Sequence, residues 1–169
     1  GIVGLGVVGG SLARALTSAG YEVRGFDADP AASAAALKAG ALSRLAESAT
    51  DLAGEVDLVC YAVPMDTVTG MLRDHRSVWR PDAVITDVSS MKGPVMDVAR
   101  ELGVLDRLVG SHPMAGSHAR GFDASQAGLF RGARVWLVSE GASGSARSLM
   151  ESLWQAVGAE SDWIDAEGH

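Results

Sequence analysis

The chain has 169 residues, 21 of them glycine, and a formal net charge of −7. This length suits one domain with a sizeable core, and an apolar fraction of 47% excludes a disordered chain. The acidic balance argues against a nucleic-acid partner, and no apolar run approaches the ~20 residues that span a bilayer. A single cysteine, Cys60, excludes an internal disulfide framework and is typical of a cytoplasmic protein.

Apolar strands alternate with amphipathic helices along the chain. The predicted strands lie at 2–3, 22–26, near 42, and at 58–63, 83–87, 108–110, 135–138 and 163–164. The predicted helices begin near residues 8, 30, 64, 94 and 146, and residues 114–130 are predicted to be irregular. Unbroken apolar strands between helices predict a doubly wound, mostly parallel sheet that is covered on both faces.

Both ends of the sequence suggest truncation. The chain starts at Gly1, without a methionine, in what reads as the tail of a strand, and it stops at His169 without a closing element. We therefore expect residues 1–169 to be one domain of a longer protein, cut at both ends.

A glycine-rich turn follows the first strand, where residues 4–9 read G-L-G-V-V-G. This G-x-G-x-x-G pattern between a strand and a helix predicts a Rossmann-type nucleotide site. Gly4 would form the tight turn, Gly6 would let a pyrophosphate approach the backbone, and Gly9 would let helix and strand pack closely. Val7 and Val8 open the helix whose N-terminus would face the phosphates. The alternative is a strand–helix turn that binds nothing.

The cofactor preference is read from Asp27, which ends the second strand 23 residues after Gly4. Its carboxylate would accept hydrogen bonds from the adenosine ribose and repel a 2′-phosphate. Residues 28–33 contain no arginine or lysine that would attract that phosphate. The sequence therefore predicts NAD rather than NADP.

Three further groups of residues follow later strands, at the same predicted edge of the sheet, where open α/β sheets bind ligands. The small residues Ala62 and Val63, with Pro64, would leave room for the riboses, unless they form an ordinary turn. Ser89, Ser90 and Lys92 would face the nicotinamide end. Ser90 as a helix cap is the alternative there, and the S-x-x-K match to serine acyltransferases lacks its partner motifs.

The third group contains His112, locked by Pro113 in a stretch that is too rich in glycine and serine to be core. An imidazole with an ordinary pKa near 6.5 suits proton transfer at neutral pH. Metal binding is not expected, because His112 and His118 are isolated from other plausible ligands. His75, among charged neighbours, reads as a solvated helix end.

With these residues set out, the chain resembles the prephenate/arogenate dehydrogenase family of tyrosine biosynthesis. The similar segments are residues 4–12 (GLGVVGGSL), 87–92 (DVSSMK) and 110–116 (GSHPMAG) with Gly121, then Leu129-Phe130 and the terminal 167–169 (EGH). The His-Pro-Met-Ala-Gly block is the specific part, since many dehydrogenases share the glycine turn.

The resemblance implies that NAD takes a hydride from the ring of prephenate or arogenate while CO2 leaves. His112 would accept the proton of the ring hydroxyl, Ser90 would hold that hydroxyl and the imidazole, and Lys92 would help to order this end of the cleft. Ser117 and His118 would join Ser90 and His112 in binding the substrate. Where many relatives carry an acidic residue, this chain has His118.

The substrate carries carboxylates, so a chain at −7 needs local cations, and the candidates are Arg120, Arg131, Arg134 and His118. The resemblance also implies an all-helical C-terminal domain, absent from this chain, which supplies a key arginine and forms a homodimer. Two alternatives stay open: a β-hydroxyacid dehydrogenase, and a noncatalytic NAD-binding module. The fragment alone is expected to be inactive.

Overall fold

The computed structural model describes residues 1–116 and 119–164, which form one eight-stranded sheet with helices on both faces. The strands are β1 (Ile2–Val3), β2 (Arg24–Phe26), β3 (Arg44–Leu45), β4 (Leu58–Tyr61), β5 (Val84–Asp87), β6 (Leu108–Pro113), β7 (Arg134–Val138) and β8 (Glu160–Ile164). The α-helices are α1 (Val7–Ser18), α2 (Pro30–Lys38), α3 (Ala49–Glu55), α4 (Met65–His75), α5 (Gly93–Leu102) and α6 (Gly144–Ala156), and a short 3-10 helix spans Phe122–Ala124. No helix in these ranges is long and apolar enough to cross a membrane.

The strand order is β3-β2-β1-β4-β5-β6-β7-β8, and every pair is parallel except β6 with β7. The order reverses between β1 and β4, which is the topological switch point where doubly wound sheets bind ligands. The predicted fold class, a doubly wound and mostly parallel sheet, is confirmed. The carboxyl ends of β1, β2, β4, β5 and β6 therefore share one edge, which we call the ligand edge.

Two apolar clusters cover the two faces of the sheet. On one face, Leu12 and Leu16 of α1 belong to a buried cluster with Trp154 of α6. On the other, Leu72 of α4 belongs to a cluster with Met96 of α5. We call these the α1 face and the α5 face.

Cys60 is buried in the middle of the sheet. Its side chain is 1% exposed, and in the parallel pair of β1 with β4 it is the partner of Ile2. Burial raises the pKa of its thiol to about 12, so the folded protein holds it as an uncharged, apolar side chain.

Residues with known capping preferences mark the start of α2 and the end of α5. Asp29 accepts a hydrogen bond from the Ala31 N–H at the start of α2, next to Pro30 in the first turn. Gly103 ends α5 in the left-handed region at φ 66°, where glycine carries no Cβ penalty. These two ends match the predicted ones.

The predicted bounds of β2, β4 and β8 differ by two or three residues from the observed ones, and three larger differences concern α3, β3 and β6. Helix α3 is not predicted at all, because it has seven residues, too few to show a clear apolar period. Strand β3 lies at Arg44–Leu45, while Leu42 is a buried core residue just before it. Strand β6 continues to Pro113 instead of stopping at 110, because β7 pairs antiparallel with its last four residues.

Candidate functional site

The glycine turn after β1 is packed so closely that two of its glycines cannot carry a side chain. Gly4 has φ 92°, and a Cβ there would lie 2.4 Å from the Ala62 carbonyl oxygen. A Cβ on Gly9 would lie 1.9 Å from the Gly4 carbonyl oxygen. Around Gly6, by contrast, no atom of the described residues lies within 4 Å of the Cβ position. The turn is therefore tight toward the sheet and open toward solvent at Gly6.

The start of α1 leaves its first backbone N–H groups without a side-chain cap. Gly6 is the N-cap, and within the described part of the chain no side chain caps the helix and no acidic residue lies in its first turn. Val7 is buried and Val8 is half-buried beside this turn. The first backbone N–H groups of a helix lack intrahelical partners and carry the positive end of its dipole, so they favour a phosphate.

Asp27 holds the glycine turn from the end of β2. Its Oδ2 accepts from the Leu5 N–H at 2.6 Å, and its Oδ1 accepts from the Asp29 N–H at 2.8 Å. The side chain is half-buried. A carboxylate offers about four lone-pair sites, so about two of them remain available as acceptors.

The Ala62–Pro64 turn lies directly beneath the glycine turn. Ala62 donates its N–H to the Val3 carbonyl at 2.7 Å, and its Cβ would be 2.9 Å from a Cβ on Gly9. Val63 is half-buried and Pro64 is exposed just before α4. A larger residue at 62 would push the two turns apart, so the small side chain is a packing requirement here.

A buried ion pair organises the loop after β5. Lys92 Nζ donates to Asp87 Oδ2 at 2.5 Å, and the side chains are 0% and 1% exposed. Ser89 donates both its N–H and its hydroxyl to the same carboxylate oxygen. Burial lowers the pKa of Lys92, and the Asp87 carboxylate opposes this shift. Asp87 Oδ1 is buried without a hydrogen-bond partner in the described residues.

The same lysine ties this loop to the next strand. Lys92 Nζ also donates to the Ser111 carbonyl at 2.8 Å, and a Cβ on Gly110 would lie 2.7 Å from Lys92 Cδ. Ser111 is fully buried on the α1 face, where its hydroxyl accepts from Trp154 Nε1 at 3.1 Å and lies 3.0 Å from Thr86 Oγ1. Both faces of the sheet thus hold the residue that precedes His112.

His112 is half-buried and lies inside β6, so the prediction that it follows a strand is wrong. The expectation that its surroundings are too rich in glycine and serine to be core is also wrong, since Gly110 and Ser111 are buried. The β5–β6 register pairs Asp87 with Gly110. Ser89 and Ser90, which follow β5 in the chain, therefore lie next to the residues that lead to His112.

The remaining predicted residues fall in three groups. Ser90 is exposed, and it does not cap α5, whose N-cap is Lys92 without a side-chain hydrogen bond, so the capping alternative is wrong. Arg120, Arg131 and Arg134 are exposed. Ser117 and His118 lie outside the described residues. Within residues 1–116 and 119–164, no cluster of histidine, cysteine or acidic side chains is suited to hold a metal ion.

His75 is not a solvated helix end. It is 3% exposed, and its Nδ1 lies 2.8 Å from the Tyr61 hydroxyl, which accepts from Trp79 Nε1 at 3.0 Å. Burial lowers the pKa of His75, which favours the neutral ring. The signal that could have found this is its spacing, since Val68, Leu72 and His75 follow one helical face.

Sequence reasoning also missed the supporting residues Asp87, Thr86, Ser111 and Trp154. Asp87 belongs to the segment 87–92 that the sequence singled out, but its pairing with Lys92 was not predicted. The two residues are five positions apart across a loop, so neither helical nor strand periodicity indicates a contact between them. Trp154 reaches Ser111 from 43 residues away. Contacts of this kind have no local sequence signal.

With this geometry established, comparison with known proteins identifies the family. The family model described as prephenate dehydrogenase, nucleotide-binding domain, matches residues 12–162. The chain belongs to this family. Prephenate dehydrogenase of Bacillus subtilis is 36% identical over 137 residues, which cover 78% of this chain and 37% of that protein. The chain thus spans well under half the length of this relative.

Solved structures are consistent with membership of this family. The chain is similar to prephenate dehydrogenase from Aquifex aeolicus in complex with hydroxyphenyl propionate and NAD+, with a TM-score of 0.89 and 28% identity over 99% of this chain and 60% of that one. A 3-hydroxyisobutyrate dehydrogenase of Mycobacterium tuberculosis has a TM-score of 0.75 at 20% identity, a likeness of fold alone.

Proposed function

We propose that the full-length protein is an NAD-dependent prephenate or arogenate dehydrogenase, which oxidatively decarboxylates its substrate in tyrosine biosynthesis. One observation carries the proposal: in a chain of this family, the strand bearing His112 is anchored from both faces beside the loop that carries Ser89 and Ser90. An imidazole carried by an anchored strand at the ligand edge suits proton transfer.

The cofactor proposed is NAD. The open backbone at Gly6 and the uncapped start of α1 fit a pyrophosphate, and Asp27 fits a ribose diol. The cofactor-binding residues are then Gly4, Gly6, Gly9 and Asp27, with Val7, Val8, Ala62, Val63, Pro64 and Ser89 around them. NAD supplies the hydride acceptor of the reaction.

The residues proposed to act on the substrate differ in how exposed their side chains are. His112 is half-buried and would accept the proton of the ring hydroxyl, while the exposed Ser90 would hold that hydroxyl. Lys92 is 0% exposed at its side chain, so we assign it a positioning role through the Ser111 carbonyl instead of contact with substrate. Ser117 and His118 stay candidate substrate contacts.

The proposal extends to the setting of the protein. We propose a cytoplasmic homodimer that forms through a helical domain outside this chain, with a small-molecule substrate and no nucleic-acid partner. The net charge of −7 supports the last point, because nucleic acid repels an acidic surface.

The deciding experiment measures turnover of the full-length protein with prephenate and arogenate, each with NAD and NADP, by absorbance of the reduced cofactor. We expect turnover of at least one substrate with NAD. A 3-hydroxy acid such as 3-hydroxyisobutyrate serves as the competing substrate. Turnover of that acid alone would support a β-hydroxyacid dehydrogenase, and NAD binding without any turnover would support a noncatalytic module.

A further inference from the structure

A cation and an aromatic ring lie next to His112 on the neighbouring strand. In the antiparallel β6–β7 pair, Trp136 is directly opposite His112, and Val138 is opposite Gly110. Directly opposed residues share a face of the sheet, with Cβ atoms about 4.5–5.5 Å apart. Arg134 lies two residues before Trp136, so it shares this face as well.

The buried neighbours of β6 and β7 show on which face of the sheet these three side chains lie. Gly110 packs against Lys92 and Met96 of α5, and Val138 belongs to the α5-face cluster. Side chains alternate along a strand, so His112, Trp136 and Arg134 all lie on the α5 face. Ser111, which lies between Gly110 and His112, packs on Trp154 of the α1 face, as this alternation requires.

Arg134 also lies at the ligand edge. Because β7 runs antiparallel to β6, it begins where β6 ends, and the Arg134 carbonyl accepts from the Met114 N–H at 2.8 Å. A diagonal cross-strand neighbour lies about 7–8 Å away, within reach of a long side chain. The Arg134 side chain, whose guanidinium here lies near Asp162 of β8, is therefore long enough to reach the space in front of His112 when it turns toward β6.

The contacts that Arg134 makes are weak enough for an incoming carboxylate to replace its partner Asp162. Its guanidinium carbon lies 5.2 Å from the centre of the Trp136 ring, a cation–π distance. Its ion pair with Asp162 is long, at 3.6 Å, and both side chains are more than half exposed, so this pair contributes little. Lys92, which holds the carbonyl of the residue before His112, is buried and paired with Asp87.

We propose that Arg134, supported by the Trp136 ring, receives a carboxylate of the substrate beside His112. This inference rests on the proposed function. It names the cation that an anionic substrate requires in an acidic chain, and it makes Trp136 a specificity-determining platform for that cation.

The test compares Arg134→Met, Arg134→Lys and Trp136→Leu in the full-length protein. Loss of a charge-assisted hydrogen bond that is equal in ground and transition states raises KM and spares kcat, by about tenfold or more for Arg134→Met. Arg134→Lys restores part of the loss, and Trp136→Leu shows a smaller rise. The NAD dissociation constant stays unchanged in all three variants.

The chain offers a matched control in Arg147, whose guanidinium carbon lies 3.6 Å from the centre of the Trp163 ring. Trp163 packs with the α1-face cluster, away from His112. Arg147→Met therefore removes a cation–π pair of the same kind on the other face of the sheet and leaves KM unchanged. A wild-type KM in Arg134→Met, or an equal rise in Arg147→Met, overturns the proposal.

A binding experiment separates this inference from the proposed function. Hydroxyphenylpropionate, an aromatic carboxylate, is titrated calorimetrically into the NAD-saturated wild type and Arg134→Met. We expect about tenfold weaker binding in the variant. If the wild type turns over neither substrate but this difference holds, the proposed function fails and the role of Arg134 stands. If turnover is normal and both proteins bind equally, only the role of Arg134 is lost.

Discussion

Lys92 Nζ lies 2.5 Å from Asp87 Oδ2 in a place where both side chains are removed from solvent. The lysine also holds the Ser111 carbonyl, so one ammonium group joins the loop after β5 to the strand that bears His112. A buried charge without its partner is costly, which makes this pair a sensitive point of the fold.

Replacing Lys92 by methionine is expected to lower the free energy of unfolding by about 3–5 kcal/mol, because Asp87 would remain as an uncompensated buried carboxylate. Urea unfolding measures the loss. Lys38→Met is the control, since Lys38 is the other lysine and is exposed. The double variant Asp87→Asn/Lys92→Met should recover much of the stability. A loss below about 1 kcal/mol in Lys92→Met would contradict the cost assigned to the unpaired charge.

Two alanine variants of the glycine turn should behave differently. Gly9→Ala forces a Cβ to within 1.9 Å of the Gly4 carbonyl oxygen, so we expect a stability loss of about 1–3 kcal/mol or more together with loss of NAD binding. Gly6→Ala meets no neighbouring atom among the described residues, so its fold is kept while NAD affinity falls. Thermal unfolding and calorimetric NAD titration separate the two effects. Equal melting temperatures for the two variants would show that Gly9 is not a packing requirement.

Asp27 should determine the choice between NAD and NADP. We expect NAD to bind in the micromolar range, and the wild type to prefer it to NADP because the carboxylate repels a 2′-phosphate. In Asp27→Asn this preference should shrink through tighter NADP binding, while the amide oxygen still accepts from the Leu5 N–H. Calorimetry with both cofactors measures the ratio. Tighter NADP binding by the wild type would overturn the role given to Asp27.

His112→Asn in the full-length protein should lower kcat by at least ~10²-fold, the scale of lost general-base assistance. The NAD dissociation constant should not change, since His112 is not among the cofactor contacts proposed above. Steady-state rates across pH check this, because the acidic limb that reports the base should disappear in the variant. An unchanged rate would remove His112 from the mechanism.

His75 predicts a specific pH dependence of stability. Burial lowers its pKa in the folded state, whereas the unfolded chain binds the proton near the ordinary value of about 6.5. The unfolded state therefore binds more protons below this pH, and the stability present above pH 6.5 is lost as pH falls through the lowered pKa. Urea unfolding at neutral pH and near pH 5.5 should show a larger loss for the wild type than for His75→Gln. Equal losses would contradict a neutral, buried His75.

The sequence was a good guide wherever a local rule decides the structure. The Asp29-Pro30 pair marks the start of α2, Gly103 ends α5, and the apolar strands predict the doubly wound sheet. The reversed direction of β7 was not visible, because a strand pattern has the same alternation in either direction. That reversal extends β6 through His112, so the position of the candidate base depended on a pairing with no sequence signal.

The buried polar contacts were harder still. The charged neighbours of His75 suggested solvent exposure, while its helical spacing directs it toward Tyr61. The sequence contains only two lysines, but the burial of Lys92 depends on Asp87 and Ser111, which come from two different strands. Such contacts follow from tertiary packing, which outweighs local composition.

The seclusion of Cys60 has a practical consequence for following this molecule in solution. The chain contains one cysteine, it is 1% exposed, and its thiol ionises only near pH 12. A thiolate-selective reagent will therefore leave the folded domain unmodified at neutral pH. A cysteine engineered at an exposed position, such as Met91, would accept a single fluorescent label without removal of the native one.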